Sequence, residues 1–150
     1  DVNIVSAPAL LKERGVPLTE STRDQSPIYD SLIRIKVKTG GKWRTLAGIV
    51  VAGAPKIAEV KSMQLEAPFH PVMLFINNSD KPGFIGALGT LLGEAQINIA
   101  TFHLGREAEG QEAIALVGVD QVVSEQVLAK IRALPQVRYA KVLRFGGVSV

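Results

Sequence analysis

The chain has no cysteine among its 150 residues, which excludes disulfides, zinc–thiolate sites and a cysteine nucleophile together. Histidine is almost as scarce: His70 and His103 are the only two, too few for a multi-histidine metal site. Aromatic residues make up 5% of the chain and the net charge is +3, so the sequence lacks the strong basic field of a nucleic-acid binder. No uninterrupted apolar run approaches the roughly 20 residues of a membrane-spanning helix, and no basic segment leads into a long apolar core as a secretory signal requires. What is present is a 47% hydrophobic share and a mean hydropathy of +0.21. This suits a packed core and excludes intrinsic disorder. The expectation is a soluble, cytoplasmic α+β protein of one domain or two small ones. An opening at Asp1 rather than Met reads as part of a longer chain.

Along residues 1–66, Val2–Val5 reads as a short strand and Ser6-Ala7-Pro8 as a helix start, since a proline in the first turn forfeits no needed N–H. Gly15 and Pro17 end that helix. Ile33, Ile35 and Val37 alternate with Arg34, Lys36 and Lys38, the period of a half-buried strand. Gly40-Gly41 marks a hairpin whose return strand runs from Trp43 to Val51. Lys56 to Gln64 reads as one further strand. Prolines 68 and 71 place a linker at 67–71. Beyond it, residues 72–145 give strands at 72–76, 97–104, 111–119 and 137–145. A helix carries Phe84, Leu88 and Leu92, and a second, capped by Ser124, carries Val127, Leu128, Ile131 and Leu134. That order, β-α-β-β-α-β, is the ferredoxin-like arrangement with two helices on one face of an antiparallel sheet. The fold class is therefore α+β: a ferredoxin-like unit preceded by a small, strand-rich α+β domain, with a tail at 146–150.

The richest chemistry lies in the loop Asn77-Asn78-Ser79-Asp80-Lys81-Pro82-Gly83, between the first strand of that unit and its first helix. Unpaired N–H groups at a helix N-terminus favour a carboxylate, Gly83 leaves room for close approach, and Asp80 suits an ammonium group. Asn78 and Asn98 each donate and accept. Together these would receive a zwitterion, a free amino acid. The same residues also fit a blander reading, in which Asp80 caps the helix and the asparagines occupy turns. Gly86, Gly89 and Gly93 form a strip on the helix, best read as close packing against the sheet or a second subunit. None of these glycines has the Gly-x-Gly-x-x-Gly spacing of a dinucleotide site. Arg34, Lys36 and Lys38 share the Trp43 face of the hairpin, where they are either a weak anion-binding strip with a cation–π contact or a solvated sheet face. No catalytic pairing and no metal set are found.

Asp80-Lys81-Pro82-Gly83 followed by Ile97-Asn98-Ile99 resembles the ACT domain, an amino-acid-sensing module. Val2 to Gly15, with Phe102-His103-Leu104-Gly105-Arg106, is similar to the intervening and ACT domains of long-form D-3-phosphoglycerate dehydrogenase. The resemblance covers residues 1–145 and makes 1–66 part of an intervening domain. It implies L-serine as effector in feedback inhibition, with Asn78, Asp80 and Asn98 as its contacts, and Asn98 reaching across from a neighbouring subunit. Homo-oligomers through ACT domains follow, as do upstream NAD-binding and catalytic domains in the parent oxidoreductase. No enzyme activity or cofactor is expected of these 150 residues alone, and no nucleic-acid or membrane partner. Bacterial L-serine dehydratase, where Gly48 to Gly53 fits, and a ligand-free oligomerisation module are the competing readings.

Overall fold

A computed structural model describes residues 2–22, 29 and 31–146, and the chain divides into two compact units, residues 1–30 and 31–150. In the first unit, helix α1 spans Ser6–Glu13. The expected strand at Val2–Val5 does not form. Instead Asn3 Oδ1 accepts the N–H groups of Val5 (2.9 Å) and Ser6 (2.8 Å), an Asx turn that caps the helix locally where a strand would need a partner. At the other end Gly15, with φ +65°, donates to Lys12 and Val16 donates to Leu11, the paired bonds of a Schellman stop.

The second unit opens with a four-stranded meander, β1 (Leu32–Thr39), β2 (Lys42–Val51), β3 (Ala54–Val60) and β4 (Met63–Pro68), paired in that order. Three two-residue turns join it, at 40–41, 52–53 and 61–62, and every central residue has positive φ. Such turns match the right-handed twist of their strands. The segment read as one strand, Lys56 to Gln64, is thus two. Lys61 and Ser62 carry no glycine signal, yet both adopt the left-handed conformation. A second correction concerns β1: Ile33, Ile35 and Val37 are exposed rather than half-buried, because the apolar face that they begin is covered only farther along, under β3 and β4. The β4 strand continues through Pro68, and residues 69–71 connect it to the next sheet.

That sheet holds β5 (Val72–Ser79), β6 (Ile99–Arg106), β7 (Glu112–Val119) and β8 (Val137–Arg144), in the order β6-β7-β5-β8 with every pair antiparallel. Helices α2 (Phe84–Glu94) and α3 (Glu125–Arg132) cover one face. Ser124 Oγ accepts from Val127 N–H as expected of a cap, and Leu128 and Ile131 are buried. The ferredoxin-like βαββαβ unit is therefore present. Its central strands are buried on both sides: Leu74, Ile76, Val117 and Val119 pack under the helices, whereas Met73, Ile114 and Leu116 pack against Ile57, Val60, Met63, Leu65 and Ala67 of the meander. Gly105 makes this fit possible, since a Cβ there would lie 2.9 Å from the Gln64 carbonyl oxygen. Among the described residues no helix is long and apolar enough to cross a membrane.

A polar joint fastens the same contact. Lys61 Nζ lies 2.6 Å from Glu112 Oε1, which also accepts from Asn77 Nδ2. The Lys61 hydrogen bond, helped by Asn77 and opposed by partial burial, holds the Glu112 carboxyl below its ordinary value near 4.5. A carboxylate depressed in the folded state stabilises above its unfolded value and loses that contribution as pH falls through the folded one. Glu112→Gln is accordingly expected to be less stable than the parent at pH 7, with the gap closing as pH drops below about 4.5, read from urea midpoints across a pH series. A gap independent of pH would show that the ion pair contributes nothing.

Candidate functional site

Period-two alternation sends the neighbours Asn77 and Asn78 to opposite faces of β5. Asn77 takes part in the joint with Lys61 and Glu112. Asn78 lies on the helix-covered side with 1% exposure; its Nδ2 donates to the Ser79 carbonyl, while its buried Oδ1 has no partner among the described residues. Farther along the chain, Gly83 stands at the N-terminus of α2 with φ +90°, and no side chain among the described residues caps that helix. The blander reading of Asp80 as a helix cap does not hold. Its carboxylate turns instead to Arg106 Nη1 (3.2 Å) and the Gly110 N–H (3.4 Å), in the connection between β6 and β7. First-turn N–H groups of α2 thus keep their donor capacity and partial positive charge.

Gln136 is a residue that sequence reasoning missed. Its carbonyl accepts from Ser79 N–H (2.8 Å), its Nε2 would lie 3.8 Å from a Cβ on Gly83, and its buried Oε1 has no partner among the described residues. Nothing in its sequence surroundings marks it, because only the pairing of β8 with β5 brings it to the loop. Arg106 entered the sequence reading only as the last residue of the Phe102–Arg106 motif, and its pairing with Asp80 is a product of the fold. The end of β5 therefore gathers helix N–H donors, two unsatisfied acceptors and an acid, the complement of a carboxylate and an ammonium group on one small molecule.

Asn98 does not join them within one chain. It precedes β6 and bonds to Asp120 and Gln121 at the far end of β7 (Asn98 Nδ2 to Asp120 Oδ2, 2.6 Å). Asn77 meets Glu112 at the near end. From residue 112 to residue 120 the strand advances about 26 Å, so Asn98 stands at the opposite end of the sheet from Asn78, Asp80 and Gly83. On the meander, Lys38 faces Trp43 across the hairpin as expected. Arg34, on the same face, is paired with Glu59 at 2.7 Å; it is exposed, as are Lys36 and Lys38, and no aromatic–cation contact occurs there among the described residues. Nor do the described residues contain a cluster of three or more metal-ligating side chains.

Comparison with known proteins adds a family. Residues 1–61 match the D-3-phosphoglycerate dehydrogenase intervening domain, and residues 72–136 match the ACT domain. The chain belongs to the D-3-phosphoglycerate dehydrogenase family, as an intervening-plus-ACT segment. It is 30% identical to the D-3-phosphoglycerate dehydrogenase of Methanocaldococcus jannaschii over 142 residues, which is 95% of this chain and 27% of that protein. The Bacillus subtilis dehydrogenase is also 30% identical, over 95% of this chain and 27% of its own length. That of Mycobacterium tuberculosis is 33% identical over 88% and 26%. The chain thus spans about 27% of the length of such relatives.

The glycine strip of the ACT helix departs from expectation. A Cβ on Gly86, Gly89 or Gly93 would meet nothing within 4 Å, so close packing against the sheet is not their reason. Gly86→Ala is expected to gain about 0.5–1 kcal/mol from helix propensity. Gly83→Ala, forced into a left-handed conformation, is expected to lose about 1–2 kcal/mol. Urea denaturation measures both. A destabilising Gly86→Ala would indicate that a second copy packs on the strip.

Proposed function

We propose that this chain is the regulatory part of a D-3-phosphoglycerate dehydrogenase and that its ACT domain binds L-serine in a site completed by a second copy. The observation that carries the reading is the separation of Asn98 from Asn78, Asp80 and Gly83 along one sheet, combined with the position of β6. That strand is an edge, and an unpaired edge favours pairing with another chain. Antiparallel pairing of two β6 edges about their midpoint, between Phe102 and His103, sets Arg106 beside the residues that follow Asn98 of the partner subunit. Arg106 is the residue that holds Asp80. The half-sites then face each other twice, once at each end of the paired strands.

In this site the serine carboxylate takes the free N–H groups at the start of α2, where partial positive charge and donors coincide. The ammonium takes the acceptors, Asp80 with Asn78 and the partner's asparagine, through charge-assisted bonds. Feedback inhibition of serine synthesis is the regulatory consequence, in the cytoplasm. The dehydrogenase chemistry belongs to the whole protein: with no Gly-x-Gly-x-x-Gly in its sequence, this chain does not fit NAD, and the cofactor would be held by other domains of the same polypeptide.

L-serine is expected to raise the melting temperature of the chain, with about 2.7 kcal/mol of added stability at 100 times its dissociation constant. D-serine should do little, because inverting the centre carries the ammonium away from its acceptors while the carboxylate is held. Asn98→Ala removes a bond to a charged group, a loss of roughly 1.5–3 kcal/mol, or about 10- to 150-fold in affinity. Melting curves and calorimetric titration check all three. Equal responses to the two enantiomers, or an Asn98→Ala variant that binds like the parent, would remove the proposed site.

A further inference from the structure

Asn98 is an exposed residue held by three hydrogen bonds. Its N–H donates to Gln121 Oε1 (2.6 Å), its Nδ2 donates to Asp120 Oδ2 (2.6 Å), and its carbonyl accepts from Asp120 N–H (3.2 Å). The second of these decides which way the side-chain amide is turned. An ionised carboxylate only accepts, so Asp120 admits the NH2 end of Asn98 and not the carbonyl end. The trigonal amide then presents Oδ1 elsewhere, as an acceptor.

Behind Asp120 lies His70, near enough for an ion pair when the imidazole is protonated. Asp120 Oδ1 stands 3.7 Å from His70 Nε2, and His70 Nδ1 is 3.1 Å from the Val72 carbonyl oxygen. His70 sits tightly over β7: a Cβ on Gly118 would come within 3.0 Å of its Cβ and 2.6 Å of Thr101 Oγ1. The chain of contacts therefore runs from the connector at 69–71, through His70 and Asp120, to Asn98.

We propose that Asp120 is a positioning residue, which locks Asn98 with its carbonyl oxygen outward so that the group it takes from the effector is the ammonium rather than the carboxylate. This rests on the effector reading above and adds to it a direction of recognition and a residue outside the site. It also sets what each copy adds to the shared site: the α2 N–H groups of one copy read the carboxylate, and Asn98 of the partner subunit joins Asp80 and Asn78 on the ammonium.

The experiment is a double-mutant cycle on the full 150-residue chain, with L-serine as the titrant. Asp120→Asn keeps the shape but accepts either end of the Asn98 amide, and at 44% side-chain exposure it leaves the core untouched. Asp120→Asn is expected to weaken L-serine binding about tenfold in the parent and to add nothing in the Asn98→Ala background. The Asn98 side-chain amide resonances, followed by nuclear magnetic resonance without ligand, are expected to move on Asp120→Asn and to stay in place on Lys36→Ala. If Asp120→Asn costs as much in the Asn98→Ala background as in the parent, or leaves the Asn98 amide unmoved, the positioning role is overturned while the effector site stands. A parent chain that does not bind L-serine at all overturns the inference together with the function it rests on.

Discussion

Strand β5 runs between β7 and β8, and its register decides more of this molecule than any single contact. Both its faces are buried, so each residue is committed to one of two cores: Leu74 and Ile76 to the helices, Met73 and Phe75 to the meander. The polar residues at its end inherit the same alternation. Asn77 is directed to the Lys61–Glu112 joint, and Asn78 to the opposite, helix-covered face. A slip of one residue would exchange these roles and turn every apolar side chain to the wrong core. The apolar contacts that hold β5 in register therefore also set the candidate site.

A second consequence is that the site is assembled from unfinished business at an element boundary. Helices usually satisfy part of their N-terminal N–H groups with a side-chain cap. Here Pro82-Gly83 leads into α2 without one, and Asp80, the obvious capping candidate, is drawn away by Arg106 and Gly110. Buried acceptors on Asn78 and Gln136 lie at the end of β5, and Gln136 reaches to within 3.8 Å of a Cβ on Gly83. Donors on one side and acceptors on the other, each lacking an internal partner, match a zwitterion better than a simple anion or cation.

The ferredoxin-like unit was legible in the sequence because its helices and strands carry strong periodicity, and Ser124 and Gly83 mark real helix starts. The meander was less so. Its Lys61-Ser62 turn uses two residues that do not ordinarily signal left-handed backbone, so one strand was read where there are two. The alternation of Ile33, Ile35 and Val37 correctly marks a strand, but periodicity reports an apolar face and not whether anything covers it. Asn78, Asp80, Gly83 and Asn98 could be singled out from residue chemistry and family resemblance, whereas Arg106, Gln136 and Asp120 could not, because each enters through a strand pairing between segments distant in sequence. The glycines of α2 show the converse: of the two packing partners that their spacing suggested, the space around them removes the chain's own sheet and leaves a second copy.

The account stands on a site shared between two copies, with Asp80 supplied by one and Asn98 by the other. Mixing two inactive variants tests this directly. Asp80→Ala chains and Asn98→Ala chains, each alone, lack one partner at both sites of a pair. Combined and allowed to exchange subunits, they form mixed pairs in which one site has both residues and the other has neither. Calorimetric titration with L-serine is expected to show weak binding for either variant alone and restored affinity in the mixture, at one site per mixed pair. A mixture that binds no better than its components would contradict the shared site.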